Sequence, residues 1–353
     1  MMLNWLIIFA PLAIVLHHFA PERYELIFLT AAMGILPLAA WLGRATEQLA
    51  DRSGEGVGGL LNATFGNAAE LIIALAALRA GLYDVLKATI AGSIVSNILL
   101  VLGAAMLVGG MRYPEQHFNL TGARAQATML TLAAIALVIP AAYNGLVGGL
   151  YFDGDKSLSI SISLVLLVVY CMFLLFSLWT HPSFFGGANV DNEASRQPWP
   201  LIWSVSVLAI CTTAIAWLSE ILVGTIEPTA RALGLSDIFV GVFVIAILGN
   251  AAEHASAVTA AIKNRMDLSL SIAIGSSIQV ALFVAPLLVL ASMVVGPEPM
   301  NLLFGKGLVL AVFVAVLITG QIAGDGRSDW LKGVQLIAVY LILGLAFFLT
   351  PQA

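Results

Sequence analysis

Charge is scarce in this chain. Asp, Glu, Lys and Arg make up 10% of its 353 residues, against 60% apolar residues and a mean hydropathy of +1.00. No soluble core could hide that much apolar surface, so a water-soluble fold is excluded and an integral membrane protein is implied. Clusters of Lys or Arg are lacking too. The net charge of −5 is spread thinly over loops, leaving no footprint for nucleic acid or for an anionic membrane surface. Cysteine is limited to Cys171 and Cys211, both inside apolar runs where a thiol behaves as a small hydrophobe. With no CxxC and no Cys/His spacing, neither zinc nor redox chemistry is indicated. The chain also lacks HExxH and any Ser/His or Asp/Asp dyad, which argues against a membrane-embedded enzyme.

What the chain has is a series of apolar runs, each about the 20 residues a membrane span needs. Eleven are expected, at about 4–20, 24–50, 57–80, 83–110, 124–142, 157–180, 199–226, 236–262, 268–295, 302–323 and 329–350. The first is short and closes on His17-His18, yet it lacks the basic start and cleavage site of a signal peptide and is read as a span. Turn formers and charges gather between runs, as in Arg112-Tyr113-Pro114-Glu115 and Gly324-Asp325-Gly326-Arg327. The longest connector, 181–198, contains Pro182, Gly186-Gly187, Asp191 and Glu193 and reads as a linker between halves. Nine of the fifteen Lys and Arg fall on the side of the N-terminus, which by the positive-inside rule places that end in the cytoplasm.

A shift of 183 residues aligns 66–101 with 249–284 without a gap. The polar matches include Gly66/Gly249, Asn67/Asn250, Glu70/Glu253, Asp84/Asp267 and Ser93/Ser276, which shared apolar composition would not produce. Duplication is the economical reading. The fold class expected is an all-α integral membrane protein of about 11 transmembrane helices. It comprises an N-terminal helix (1–23), a five-helix repeat (24–180), a short linker (181–198) and a second five-helix repeat (199–353). An odd number of spans per repeat inserts the second copy upside down.

Each copy carries Gly-Asn-Ala-Ala-Glu inside an apolar segment, so each puts a carboxylate where lipid should be. An intramembrane acid marks an ion pathway by default. Inversion would bring Glu70 and Glu253 to one midplane site. Asn67 and Glu70, like Asn250 and Glu253, are three apart and share a helix face. Gly66 and Gly249 permit close approach and loosen the helix, freeing carbonyl oxygens. On the following helix Ser93, Ser96 and Asn97 form one stripe, and Ser276, Ser277 and Gln279 form its counterpart. The bland alternatives are that the Asn, Ser and Gln residues are polar glue between helices and that the glutamates are structurally paired acids.

Carboxylates, carbonyls, amides and hydroxyls without thiolate make a hard-ligand set, suited to Ca²⁺ or a similar divalent ion as transported substrate, with no cofactor. Empty, two neighbouring carboxylates in a low-dielectric space would take up protons as a coupled pair. Metal and protons then compete for the same oxygens. That competition suffices for antiport if only the loaded forms alternate between inward-open and outward-open states.

At these residues the chain resembles the cation/proton exchanger branch of the cation/Ca²⁺ exchanger superfamily. The resemblance rests on GNAAELIIAL and GNAAEHASAV, on the GSIVSN and GSSIQVALF segments that follow, and on Ser219-Glu220 with Leu222-Val223-Gly224. It implies Ca²⁺ bound between Glu70 and Glu253 with help from Gly-Asn carbonyls, a cytosolic linker and a prokaryotic inner membrane. His254 is open to two readings, a proton relay, as the family suggests, or a packing histidine. Glu220 is open to a proton-carrying or an interfacial reading. Asp84 and Asp267 are expected to cap helices. Sequence leaves homo-oligomerisation open. The rival readings are a Na⁺/Ca²⁺ exchanger of the same superfamily, which would need further acids where Ser, Asn and Gln stand, and a cation channel.

Overall fold

A computed structural model of the protein describes residues 4–53, 55–147, 152–185 and 199–350. Most of the linker, 186–198 with Asp191 and Glu193, lies outside the described residues. Almost every described residue is helical, because apolar segments in lipid can satisfy their backbone groups only internally. In chain order the helices of the first half are α1 (Phe9–Phe19), α2 (Tyr24–Ser53), α3 (Glu55–Phe65), α4 (Ala68–Arg79), α5 (Tyr83–Val95), α6 (Leu102–Arg112), α7 (Leu120–Val147) and α8 (Phe152–Leu175). Those of the second are α9 (Leu201–Gly224), α10 (Ile226–Leu233), α11 (Asp237–Phe239), α12 (Ala246–Gly249), α13 (Ala251–Ile262), α14 (Met266–Gln279), α15 (Ala285–Ala291), α16 (Lys306–Ala323) and α17 (Trp330–Phe348). Wide π-helical turns at Ser96–Val101 and Val280–Val284 join α5 to α6 and α14 to α15, at equivalent places in the two copies.

Among the described residues, eight helices are long and apolar enough to cross a membrane, or nine if a bent pair counts as one span. The expected eleven are not reached on that criterion, and the reason is local. The first run, Asn4–Phe19, is short. The two motif-bearing runs are each cut in the middle, α3 from α4 at Gly66-Asn67 and α12 from α13 at Asn250. Upstream of the second cut, Ile226–Leu233 and Asp237–Gly249 meet at 113°.

The chain forms two compact units, and neither follows the repeat boundaries. Unit 1 comprises Met1–Thr89, Val190–Ala252 and Phe348–Ala353; unit 2 comprises Ile90–Asn189 and Glu253–Phe347. Each therefore draws on both halves of the sequence. In unit 1, α2 packs along α9, with α1 and α3 beside it and α4 also on α9. Gly34 lets α1 approach α2, since a Cβ there would lie 2.8 Å from the Ala10 nitrogen.

In unit 2, α7 packs on α16, α14 on α7 and on Ser96–Val101, and α15 on α8. α6 and α17 cross at two glycines, where a Cβ on Gly333 would come within 2.6 Å of the Gly103 oxygen. The loops after α6 and α16 pair as two short antiparallel strands, β1 (Gln116–His117) and β2 (Arg327–Ser328), with Gln116 opposite Ser328. Gln116 is buried, and its Nε2 donates to the Ala261 oxygen (2.9 Å) and to Asn264 Oδ1 (3.0 Å), tying this loop to the end of α13.

Candidate functional site

The site begins with two interruptions of backbone hydrogen bonding. Asn67 has φ −100° and ψ 27°, and Asn250 has φ −101° and ψ 5°. These near-identical bends end one helix and start the next, so that Glu70 and Glu253 each become the third residue of a new helix. A carboxylate in a first turn sits at the positive end of the helix dipole, where anions are stabilised by about 0.3–1 kcal/mol, and more when buried. The carbonyl-rich end of the preceding helix, which attracts cations, meets it at the break. Discontinuous helices of this kind present both signs of partial charge to one spot.

Asn-x-x-Glu at a helix start is also the pattern of a capping box, in which the amide would be consumed by the backbone. That structural reading fails at the first copy, because the Asn67 side chain makes no capping bond. Asn67 and Glu70 are both buried. Within unit 1 the acid of one copy meets the Gly-Asn of the other: Asn250 Nδ2 donates to Glu70 Oε1 and also to the Ala246 oxygen at 3.1 Å. Gly249 permits the approach, since a Cβ there would stand 3.3 Å from Glu70 Cγ and 3.7 Å from its Oε1. Gly66, by contrast, is exposed.

Unit 2 holds Glu253, His254 and the hydroxyl and amide stripes. Ser93, Ser96, Asn97, Ser276, Ser277 and Gln279 are all buried, while Glu253 and His254 are half-buried. Asn97 bridges two elements: its Nδ2 donates to Ser276 Oγ at 3.1 Å, and its Oδ1 lies 3.1 Å from His254 Nε2. A carbonyl-type oxygen can only accept, so this pairing makes Nε2 the protonated nitrogen of His254. Ser277 Oγ donates to the Ala273 oxygen (3.1 Å) and to the Ile94 oxygen (3.4 Å), and Ser96 Oγ donates to the Ser93 oxygen at 3.2 Å. Ser277 and Asn97 thus hold helices together, whatever else they do.

Other expected residues are placed differently. Glu220 pairs with Arg79 at 2.7 Å, both side chains more than half exposed. Arg79 ends α4, about 13 Å along the helix axis from Glu70, so the ion pair stands well away from the Gly-Asn-Glu break. Asp84 and Asp267 lie in the first turns of α5 and α14 rather than at the capping positions. The carboxylate of Asp267 instead accepts the Asn119 amide at 2.6 Å, across to the loop before α7. Arg79 was not expected as a partner of Glu220; residues 141 positions apart leave no periodic signal. The helix breaks could have been read from the Asn-x-x-Glu start signal lying inside an apolar run.

Fold and site together define a polytopic α-helical membrane protein with broken, acid-bearing helices built from a duplicated segment. The chain belongs to the family described as sodium/calcium exchanger protein, whose model matches residues 24–179 and 203–349. It is similar to a Ca²⁺/H⁺ antiporter of Aphanothece halophytica (45% identity over 98% of this chain and 96% of the relative). It is also similar to the Ca²⁺/H⁺ antiporter ChaA of Bacillus subtilis strain 168 (42% identity over 92% of each). Among solved structures it matches the Ca²⁺/H⁺ antiporter protein YfkE, with a TM-score of 0.84 at 37% identity, covering 99% of both chains.

Proposed function

We propose that this protein exchanges Ca²⁺ for H⁺ across a membrane by alternating access, the ion and protons competing for the same carboxylates. The observation that carries this reading is the meeting of the two motif copies at Glu70, Gly249 and Asn250. A buried acid supplied with an amide donor, beside the carbonyl-rich end of a broken helix, can hold either a divalent cation or a proton but not both. The relatives named Ca²⁺/H⁺ antiporters favour protons over Na⁺ as the counter-ion.

In this reading Glu70 and Glu253 supply the two carboxylates, the second by virtue of the repeat. Gly66, Asn67, Gly249 and Asn250 contribute backbone or amide oxygens, and the Ser, Asn and Gln stripes line the path. His254, oriented by Asn97, is the candidate for passing protons. The surface pair with Arg79 favours the interfacial role for Glu220. A cytoplasmic N-terminus belongs to the same proposal and rests on the Lys and Arg distribution; location in a prokaryotic inner membrane rests on the family resemblance.

The test is uptake of radioactive Ca²⁺ into reconstituted vesicles, driven by a pH step in Na⁺-free buffer. Wild type should accumulate Ca²⁺, and Glu70→Gln and Glu253→Gln, which keep shape and remove one titratable charge each, should not. Uptake that requires a Na⁺ gradient would replace this reading with Na⁺/Ca²⁺ exchange.

A further inference from the structure

Unit 2 carries an apolar groove of about 300 Å³ between α7 and α16. Ala134 and Val316, both buried, form its floor, and Ile135, Ile139, Phe313 and Leu317, each about half exposed, form its walls. The helices run antiparallel here, fixed at one end where Arg124 Nη2 donates to the Gly324 oxygen at 3.2 Å. The Thr131 hydroxyl, at the edge of the lining, donates to the Ala127 oxygen (2.9 Å).

On the Arg124 side the lining ends at Thr131 and Leu317. Gly320 has no side chain, and a Cβ there would meet nothing within 4 Å. On α7 the exposed stripe Ile139, Ile135, Thr131, Thr128 leads at helical spacing to Arg124, itself exposed. Arg124 lies about 10 Å beyond Thr131 by the rise per residue. Its guanidinium spends one N–H group on Gly324 and forms no ion pair among the described residues. The acids on neighbouring loops are otherwise engaged: Asp325 with Lys332 at 2.7 Å, and Glu115 with Arg327 at 3.3 Å. A cation at the mouth of an apolar trough, where helix gives way to loop, is complementary to one molecule class, an anion with a hydrocarbon tail.

We propose that this groove binds one anionic glycerophospholipid, its acyl chain between α7 and α16 and its phosphate on Arg124. The lone cation is too sparse to register as a basic cluster in sequence, and only the groove gives it a partner. Neither Arg124 nor the groove residues belong to the ion site.

Native mass spectrometry of detergent-solubilised protein tests this, with phosphatidylglycerol and phosphatidylcholine of identical chains as probes. One interfacial cation favours an anionic headgroup about fivefold. Wild type should retain phosphatidylglycerol over phosphatidylcholine by about that factor, Arg124→Gln should bring the ratio near unity, and Arg231→Gln, an exposed change in unit 1, should leave it as in wild type. Thr131→Trp, which fills the groove from an exposed position, should lower retention of both lipids. Equal retention of the two lipids by wild type overturns the proposal. So does a preference that survives Arg124→Gln, or a dimer whose mass peak is lost on Thr131→Trp.

Discussion

Gly249 offers the sharpest test of the site geometry. A Cβ at this position would stand 3.3 Å from Glu70 Cγ, a few tenths of an ångström inside ordinary contact, and 3.7 Å from the Oε1 atom that accepts from Asn250. Gly249→Ala therefore asks Glu70 to shift slightly. Gly249→Val adds two methyls to the same space and must displace the carboxylate or part α12 from α4. Overpacking of this kind costs about 1–3 kcal/mol. At about 1.4 kcal/mol per decade, the half-saturating Ca²⁺ concentration should rise by about 5- to 150-fold for Val, and less for Ala. Calcium tolerates ligand distances only between about 2.3 and 2.6 Å, so small displacements matter. The assay is initial Ca²⁺ uptake against Ca²⁺ concentration at fixed pH step, with Gly275→Ala as control, because a Cβ there meets nothing within 4 Å. If Gly249→Val transports with the affinity of Gly275→Ala, the close approach of the two motif copies is refuted.

Glu220→Gln should leave uptake close to wild type and lower stability by no more than about 1 kcal/mol, as expected of an exposed ion pair; loss of exchange would restore it as a proton carrier. Gly333→Ala should lower the melting temperature in detergent strongly, because its Cβ would press on the backbone of α6, 2.6 Å from the Gly103 oxygen, where no side chain can give way. The hydrogen bond and charge of Lys332 hold the loop residue Asp325 below the ordinary carboxylate range. Its contribution is therefore present at neutral pH and lost as pH falls through that lowered value. Wild type should melt slightly above Asp325→Asn at neutral pH, and the gap should close in strong acid.

Much of this site was legible in the residues. Glu70 and Glu253 stand out because an acid inside an apolar run is improbable without a function, and the duplication at a shift of 183 residues sets an Asn three positions before each of them. The polar stripes of Ser93, Ser96, Asn97, Ser276, Ser277 and Gln279 were equally visible as periodicity, but periodicity could not separate packing from lining. Glu220 stays open between two readings in the sequence because its position inside a span says nothing about which helix end lies against it.

By itself, then, the sequence determined that the chain lives in lipid, that a segment of it recurs and that each copy carries an acid within an apolar run, since hydropathy, repetition and side-chain chemistry are local properties. Only the tertiary structure decided that Asn250 serves Glu70 from 180 positions away, and that Arg79 takes Glu220. Each of those depends on contact through space. That quantity is not carried by residues near one another in the chain.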